Sequence, residues 1–143
     1  MKKFDCIFLD RDGTLNPDPG YINNISDYNF YDFTFPALKL MAKNNHRFCI
    51  VTNQSGVARG LISINNLNVI NKFIREKFSE NSISLFDIYM CFDHPDNASI
   101  NRKPGVGMFL KAKREYNLQL SKCLMVGDSI SDMKVGKNLG MET

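Results

Sequence analysis

The stretch "CIFLDRDGTLN", Cys6 to Asn16, runs from an apolar segment into two aspartates separated by a single arginine. Its first half reads as a buried strand, since it is short, apolar and bounded by turn residues. Asp10 and Asp12 repel one another unless a cation or a set of hydrogen-bond donors compensates them. One reading is a solvated turn, because Asp12-Gly13-Thr14 is also good turn chemistry. The other is a metal and phosphate site.

Further strand-like runs beyond "FDCIFL" (Phe4 to Leu9) are "RFCIVT" (Arg47 to Thr52), "FDIYMCF" (Phe86 to Phe92) and "CLMVG" (Cys123 to Gly127). Helical patterns lie between them, at Pro36 to Asn44, at Ile64 to Ser79 with Leu67, Ile70, Ile74 and Phe78 on one face, and at Met108 to Tyr116 after Pro104 and Gly105. Strand alternating with helix predicts an α/β fold, a mainly parallel sheet flanked by helices.

In such sheets ligands bind beyond the carboxyl ends of the strands. The first strand ends in Asp10, the second in Thr52-Asn53, the third leads to Arg102-Lys103, and the fourth ends in Asp128 with Asp132 behind it. Four polar clusters scattered in sequence are thereby expected at one edge. Carboxylates gathered without histidine or thiolate suit a hard, oxygen-loving cation, with Mg²⁺ the usual choice beside phosphate. Thr52, Asn53 and Lys103 supply donors and positive charge for a phosphoryl group. One aspartate is then free to attack as a nucleophile and form an acyl phosphate.

The bulk numbers are compatible with this. A chain of 143 residues fits one domain, residues 1–143, and 43% hydrophobic with 23% charged residues is ordinary for a globular protein. A net charge of +3 is too mild to argue for nucleic acid, and no segment approaches a membrane span. The first apolar run breaks at Asp10, too early for a signal peptide, so a cytoplasmic protein is expected. Cys6, Cys49, Cys91 and Cys123 lie far apart in apolar runs and read as reduced core residues. A monomer is expected.

Four motifs in order, "DRDGT" (Asp10 to Thr14), "VTNQSGVARG" (Val51 to Gly60), "RKPGVGM" (Arg102 to Met108) and "VGDSISDM" (Val126 to Met133), resemble the haloacid dehalogenase superfamily. Within it they are similar to the D-glycero-D-manno-heptose 1,7-bisphosphate phosphatases and the related histidinol-phosphate phosphatases. The resemblance spans nearly the whole chain and implies a Rossmann-like core with no large cap domain. It implies that Asp10 is the nucleophile and Asp12 the general acid and base. Asp10, the backbone carbonyl of Asp12, and Asp128 would hold Mg²⁺. Thr52 and Lys103 would stabilise the transferring phosphoryl group, with Asn53 assisting and Arg102 recognising the rest of a small sugar phosphate. Asp18, Gly20 and Tyr21 match the loop that contacts substrate, Gln54 and Ser55 border the same pocket, and Asp132 stands behind the metal ligands or caps a helix that starts near Ser131.

Two departures stand out. Many relatives carry a zinc loop before the third motif, with a Cys-x-His pair followed by a Cys-x-Cys pair. Here Asp93 occupies the histidine position, and Ser99 and Asn101 those of the second pair, leaving Cys91 and a shifted His94. That falls short of four tetrahedral ligands, so structural zinc is predicted absent. Close relatives often carry lysine where this chain has Ser129, and they place a further strand after the last helix, beyond "NLGMET" (Asn138 to Thr143). Histidinol-phosphate hydrolysis therefore stays open as an alternative, as does a non-catalytic module in which Asp10 merely accepts a phosphoryl group.

Overall fold

The computed structural model describes residues 2–143. Among them, four strands form one parallel sheet in the order β3-β2-β1-β4, with β1 at Ile7–Leu9, β2 at Phe48–Asn53, β3 at Leu85–Cys91 and β4 at Leu124–Val126. Four helices connect or follow them: α1 (Thr34–Ala42), α2 (Ile64–Glu80), α3 (Gly107–Tyr116) and α4 (Ile130–Asn138). This is the α/β architecture predicted from the alternation of strands and helices. No helix among the described residues is long and apolar enough to cross a membrane.

Period-two alternation along each strand sends side chains to two separate cores. Ile7, Leu9, Phe48, Ile50 and Ile88 pack with Leu38 of α1 and with Ile70, Ile74 and Phe78 of α2. Phe8, Cys49, Val51, Tyr89 and Met125 pack with Met108, Phe109 and Ala112 of α3 and with Val135 of α4. Two helices thus cover each face, which is why the strands read as continuous apolar runs. All four cysteines are buried free thiols, and burial pushes the Cys123 thiol up to about 11.

Element ends differ from expectation by a few residues, for identifiable reasons. The first strand begins at Ile7 and not Phe4, because the Arg47 guanidinium takes the Asp5 carbonyl at 3.1 and 3.0 Å and His46 Nε2 accepts the Phe4 amide at 3.0 Å in place of ladder bonds. Helix α1 starts two residues before Pro36, which sits in the first turn, where its missing N–H costs nothing. After α4 the chain returns alongside β4, with a bridge between Leu124 and Glu142 and an amide bond from Met125 to the Glu142 carbonyl at 2.8 Å.

Candidate active site

The carboxyl ends of the strands open into a cavity of about 300 Å³. Asp10, Asp12, Thr52, Gln54, Lys103 and Asp128 line its floor and walls, and Asp18, Gly20, Tyr21, Asn53, Ser55 and Arg102 complete it, together with Ser129 and Ser131. Every site residue predicted from sequence except Asp132 therefore lines one cavity, and Asp132 is buried behind it. Parallel register does this: Leu9, Ile50 and Val126 lie side by side, so the residues that follow them emerge together.

Lys103 is at the centre. Its side chain is only 3% exposed, and Nζ donates to Asp10 Oδ1 at 2.9 Å, to Asp132 Oδ1 at 2.7 Å and to the Val51 carbonyl at 2.8 Å. An ammonium has three N–H donors, so all are engaged, and toward a further anion Lys103 acts through its charge. Asn53 fixes the lysine backbone from both sides, donating to the Lys103 carbonyl at 3.1 Å and accepting its amide at 3.0 Å. The Asn53 amide is thereby engaged with the Lys103 backbone at the cavity wall. Burial pushes the Asp10 carboxyl up to about 7, an effect that Lys103 opposes and the Asp132 carboxylate reinforces.

Asp132 caps α4 and, with its second oxygen, reaches the lysine beside Asp10. It is the third residue of α4, and its Oδ2 accepts the Ser129 amide at 3.2 Å and hydroxyl at 2.8 Å, while Ser129 Oγ accepts the Asp132 amide. This capping box satisfies free donors of the first helical turn. Its other oxygen meets Lys103.

Asp12 is held differently. Its two oxygens receive four N–H groups, from Arg11 Nε at 2.8 Å, Arg11 Nη2 and Gln54 Nε2 at 3.0 Å each, and Asn16 Nδ2 at 3.0 Å. Gln54 Nε2 also reaches Thr52 Oγ1 at 2.9 Å. Compensation of the opening pair is thus divided: Lys103 offsets Asp10, and Arg11 offsets Asp12. Sequence reasoning passed over Arg11, Asn16 and Tyr28. The signal was in view, a cation placed between two acids.

Asp128 is exposed, with Thr14 Oγ1 donating to its Oδ1 at 3.4 Å. Gly13, at φ +86°, lets the loop pass close over it, since a Cβ there would collide with the Asp128 carboxylate. One oxygen each from Asp10, Asp128 and Asp132 lies within 4.8 Å of the others. These are hard oxygen donors. Outside the cavity, Asp93 accepts the Ser99 amide at 2.8 Å and the Ser99 hydroxyl, and the hydroxyl bond leads in holding its carboxyl below the usual range. Arg102 Nη1 donates to the Asp93 carbonyl at 3.2 Å, so this loop positions the arginine at the cavity wall.

A family model described as HAD-hydrolase-like matches residues 100–143. The D-glycero-alpha-D-manno-heptose-1,7-bisphosphate 7-phosphatase of Campylobacter jejuni is 36% identical over 141 residues, covering 99% of this chain and 81% of that one. The corresponding beta-heptose enzyme of Haemophilus influenzae is 37% identical over 92% of this chain and 74% of its own length. Among solved structures, D,D-heptose 1,7-bisphosphate phosphatase from B. bronchiseptica, complexed with magnesium and phosphate, superposes with a TM-score of 0.87 at 30% identity, covering 99% of this chain and 78% of the other. With these relatives matched along almost its whole length, the chain belongs to the HAD-like phosphatase family that includes the heptose-1,7-bisphosphate 7-phosphatases.

Proposed function

We propose that the protein removes the 7-phosphate of D-glycero-D-manno-heptose 1,7-bisphosphate through an aspartyl-phosphate on Asp10. The observation that carries this reading is the Asp10 carboxylate, set at the floor of a polar cavity with Lys103 Nζ at 2.9 Å. Asp10 attacks phosphorus, the bond to the sugar oxygen breaks, and protonated Asp12 gives its proton to the departing alkoxide. Asp12 then takes a proton from the water that attacks the acyl phosphate, releasing inorganic phosphate and restoring Asp10. The Thr52 hydroxyl hydrogen-bonds the transferring group and Lys103 offsets its charge, while Arg102, Tyr21 and the Asp18–Gly20 turn contact the sugar side.

The donor set of Asp10 and Asp128, with the Asp12 carbonyl, fits Mg²⁺. Bound there, Mg²⁺ would neutralise phosphoryl charge and favour the ionised, attacking form of a carboxyl that burial otherwise disfavours. Relatives are named for both the alpha and the beta anomer, so the choice of anomer is decided by assay. The test is phosphate release from both heptose 1,7-bisphosphate anomers, other sugar phosphates and histidinol phosphate, with and without Mg²⁺. A preference for a heptose bisphosphate is expected. Preference for histidinol phosphate, or release without Mg²⁺, overturns the reading.

A further inference from the structure

The Arg11 side chain is fully buried, and Nη1 has no partner among the described residues. Its Cζ lies 5.4 Å from the centre of the Tyr28 ring, whose face takes the place of solvent. Removing a guanidinium from water is expensive, and a buried ion pair is weak evidence of a stabilising device. What the arginine does make is a fork on Asp12, with Nε on one oxygen at 2.8 Å and Nη2 on the other at 3.0 Å. Such a fork fixes the plane of a carboxylate and not merely its distance. Behind it a second line holds Asn16, whose Oδ1 accepts the Tyr28 hydroxyl at 2.8 Å while its Nδ2 donates to Asp12.

We propose that Arg11 is a positioning residue for Asp12, setting the plane of its carboxylate relative to the leaving oxygen of the substrate, with Tyr28 and Asn16 as its support. This rests on the reading of Asp12 as the proton donor. Proton donation to the leaving group matters greatly for a sugar alkoxide and little for nitrophenolate, which departs without help. A loss of Asp12 alignment is therefore visible as leaving-group selectivity. A fall in the amount of folded enzyme leaves that selectivity unchanged, because the ratio of kcat/KM for two substrates does not depend on active enzyme concentration.

The experiment measures kcat/KM for heptose 1,7-bisphosphate and p-nitrophenyl phosphate in the parent, Asp12→Asn, Arg11→Met and Arg11→Lys. The expected result is that Asp12→Asn lowers the sugar-to-nitrophenyl ratio strongly, and that both Arg11 variants lower it on the order of 10-fold. Arg11→Lys retains the buried charge and long stem but loses the fork, so it reads out alignment if Arg11→Met does not fold. An unchanged ratio in the Arg11 variants, with the ratio shifted in Asp12→Asn, overturns the positioning role alone. An unchanged ratio in Asp12→Asn overturns the acid assignment on which the proposal stands.

Discussion

Lys103 Nζ lies 2.9 Å from Asp10 Oδ1 although 93 residues separate the two in the chain. The same nitrogen touches Asp132, so one ammonium compensates two buried carboxylates, one at the end of β1 and the other in the first turn of α4. Under the proposed mechanism, stability and chemistry are therefore coupled at this lysine.

Lys103→Met is expected to remove turnover and to destabilise the fold by about 3–5 kcal/mol, because it leaves both carboxylates buried without a cation. Adding Asp132→Asn removes one of those charges and should recover part of the melting temperature, with no recovery of activity. Calorimetry and phosphate release on the single and double variants check this. A double variant that regains activity would show that the lysine serves only the fold.

Asp10→Asn keeps the shape of the side chain and its place beside Lys103 but lacks the attacking oxygen anion. Turnover should fall at least 10³-fold while circular dichroism stays native, with loss on this scale the norm for removal of a nucleophile. Activity within tenfold of the parent would sink the nucleophile assignment.

Metal removal supplies an independent check. EDTA should silence the enzyme and Mg²⁺ restore it, and Asp128→Asn should raise the Mg²⁺ concentration needed for half-maximal activity. Stability should hardly change, within about 0.5 kcal/mol, since Asp128 is exposed and the hydrogen bond it accepts from Thr14 is 3.4 Å long. Elemental analysis is expected to find no stoichiometric zinc, because hydrogen bonds between Asp93 and Ser99 tie this loop together. About one zinc per chain would overturn that expectation.

How far the sequence was legible depends on the range of each interaction. The parallel sheet and the convergence of Asp10, Thr52, Lys103 and Asp128 follow from local periodicity and one topological rule, so they were readable. Lys103 was harder, because a lysine in a short "RKP" motif looks the same whether solvated or nearly enclosed; only the fold brings Asp10 and Asp132 to it. Asn53 illustrates a different limit: its identity suggested a ligand contact, and only the fold shows that both ends of its amide also hold the Lys103 backbone. Arg11 was overlooked because apolar patterning draws attention to acids at a strand end and treats the residue between them as a spacer.

Ser129 provides the last test, since it belongs to the cavity wall and to the α4 cap at once. Ser129→Lys adds a cation beside the phosphoryl position, where a charge-assisted contact contributes on the order of 1.5–3 kcal/mol. The cation favours substrate and free phosphate alike, so KM should fall and inhibition by phosphate should strengthen. The same change removes the hydroxyl that accepts the Asp132 amide and donates to Asp132 Oδ2. Loss of such a cap costs about 1 kcal/mol, a drop of roughly 3–5 °C in Tm for a domain of this size. With Asp132 less firmly held, Lys103 is also less firmly held, so kcat should decline modestly even as binding tightens. Steady-state kinetics with phosphate titration, alongside a melting curve, separates the effects. Unchanged KM and unchanged phosphate inhibition would mean that the side chain at position 129 faces away from the phosphate, and that the serine serves only as the cap of α4.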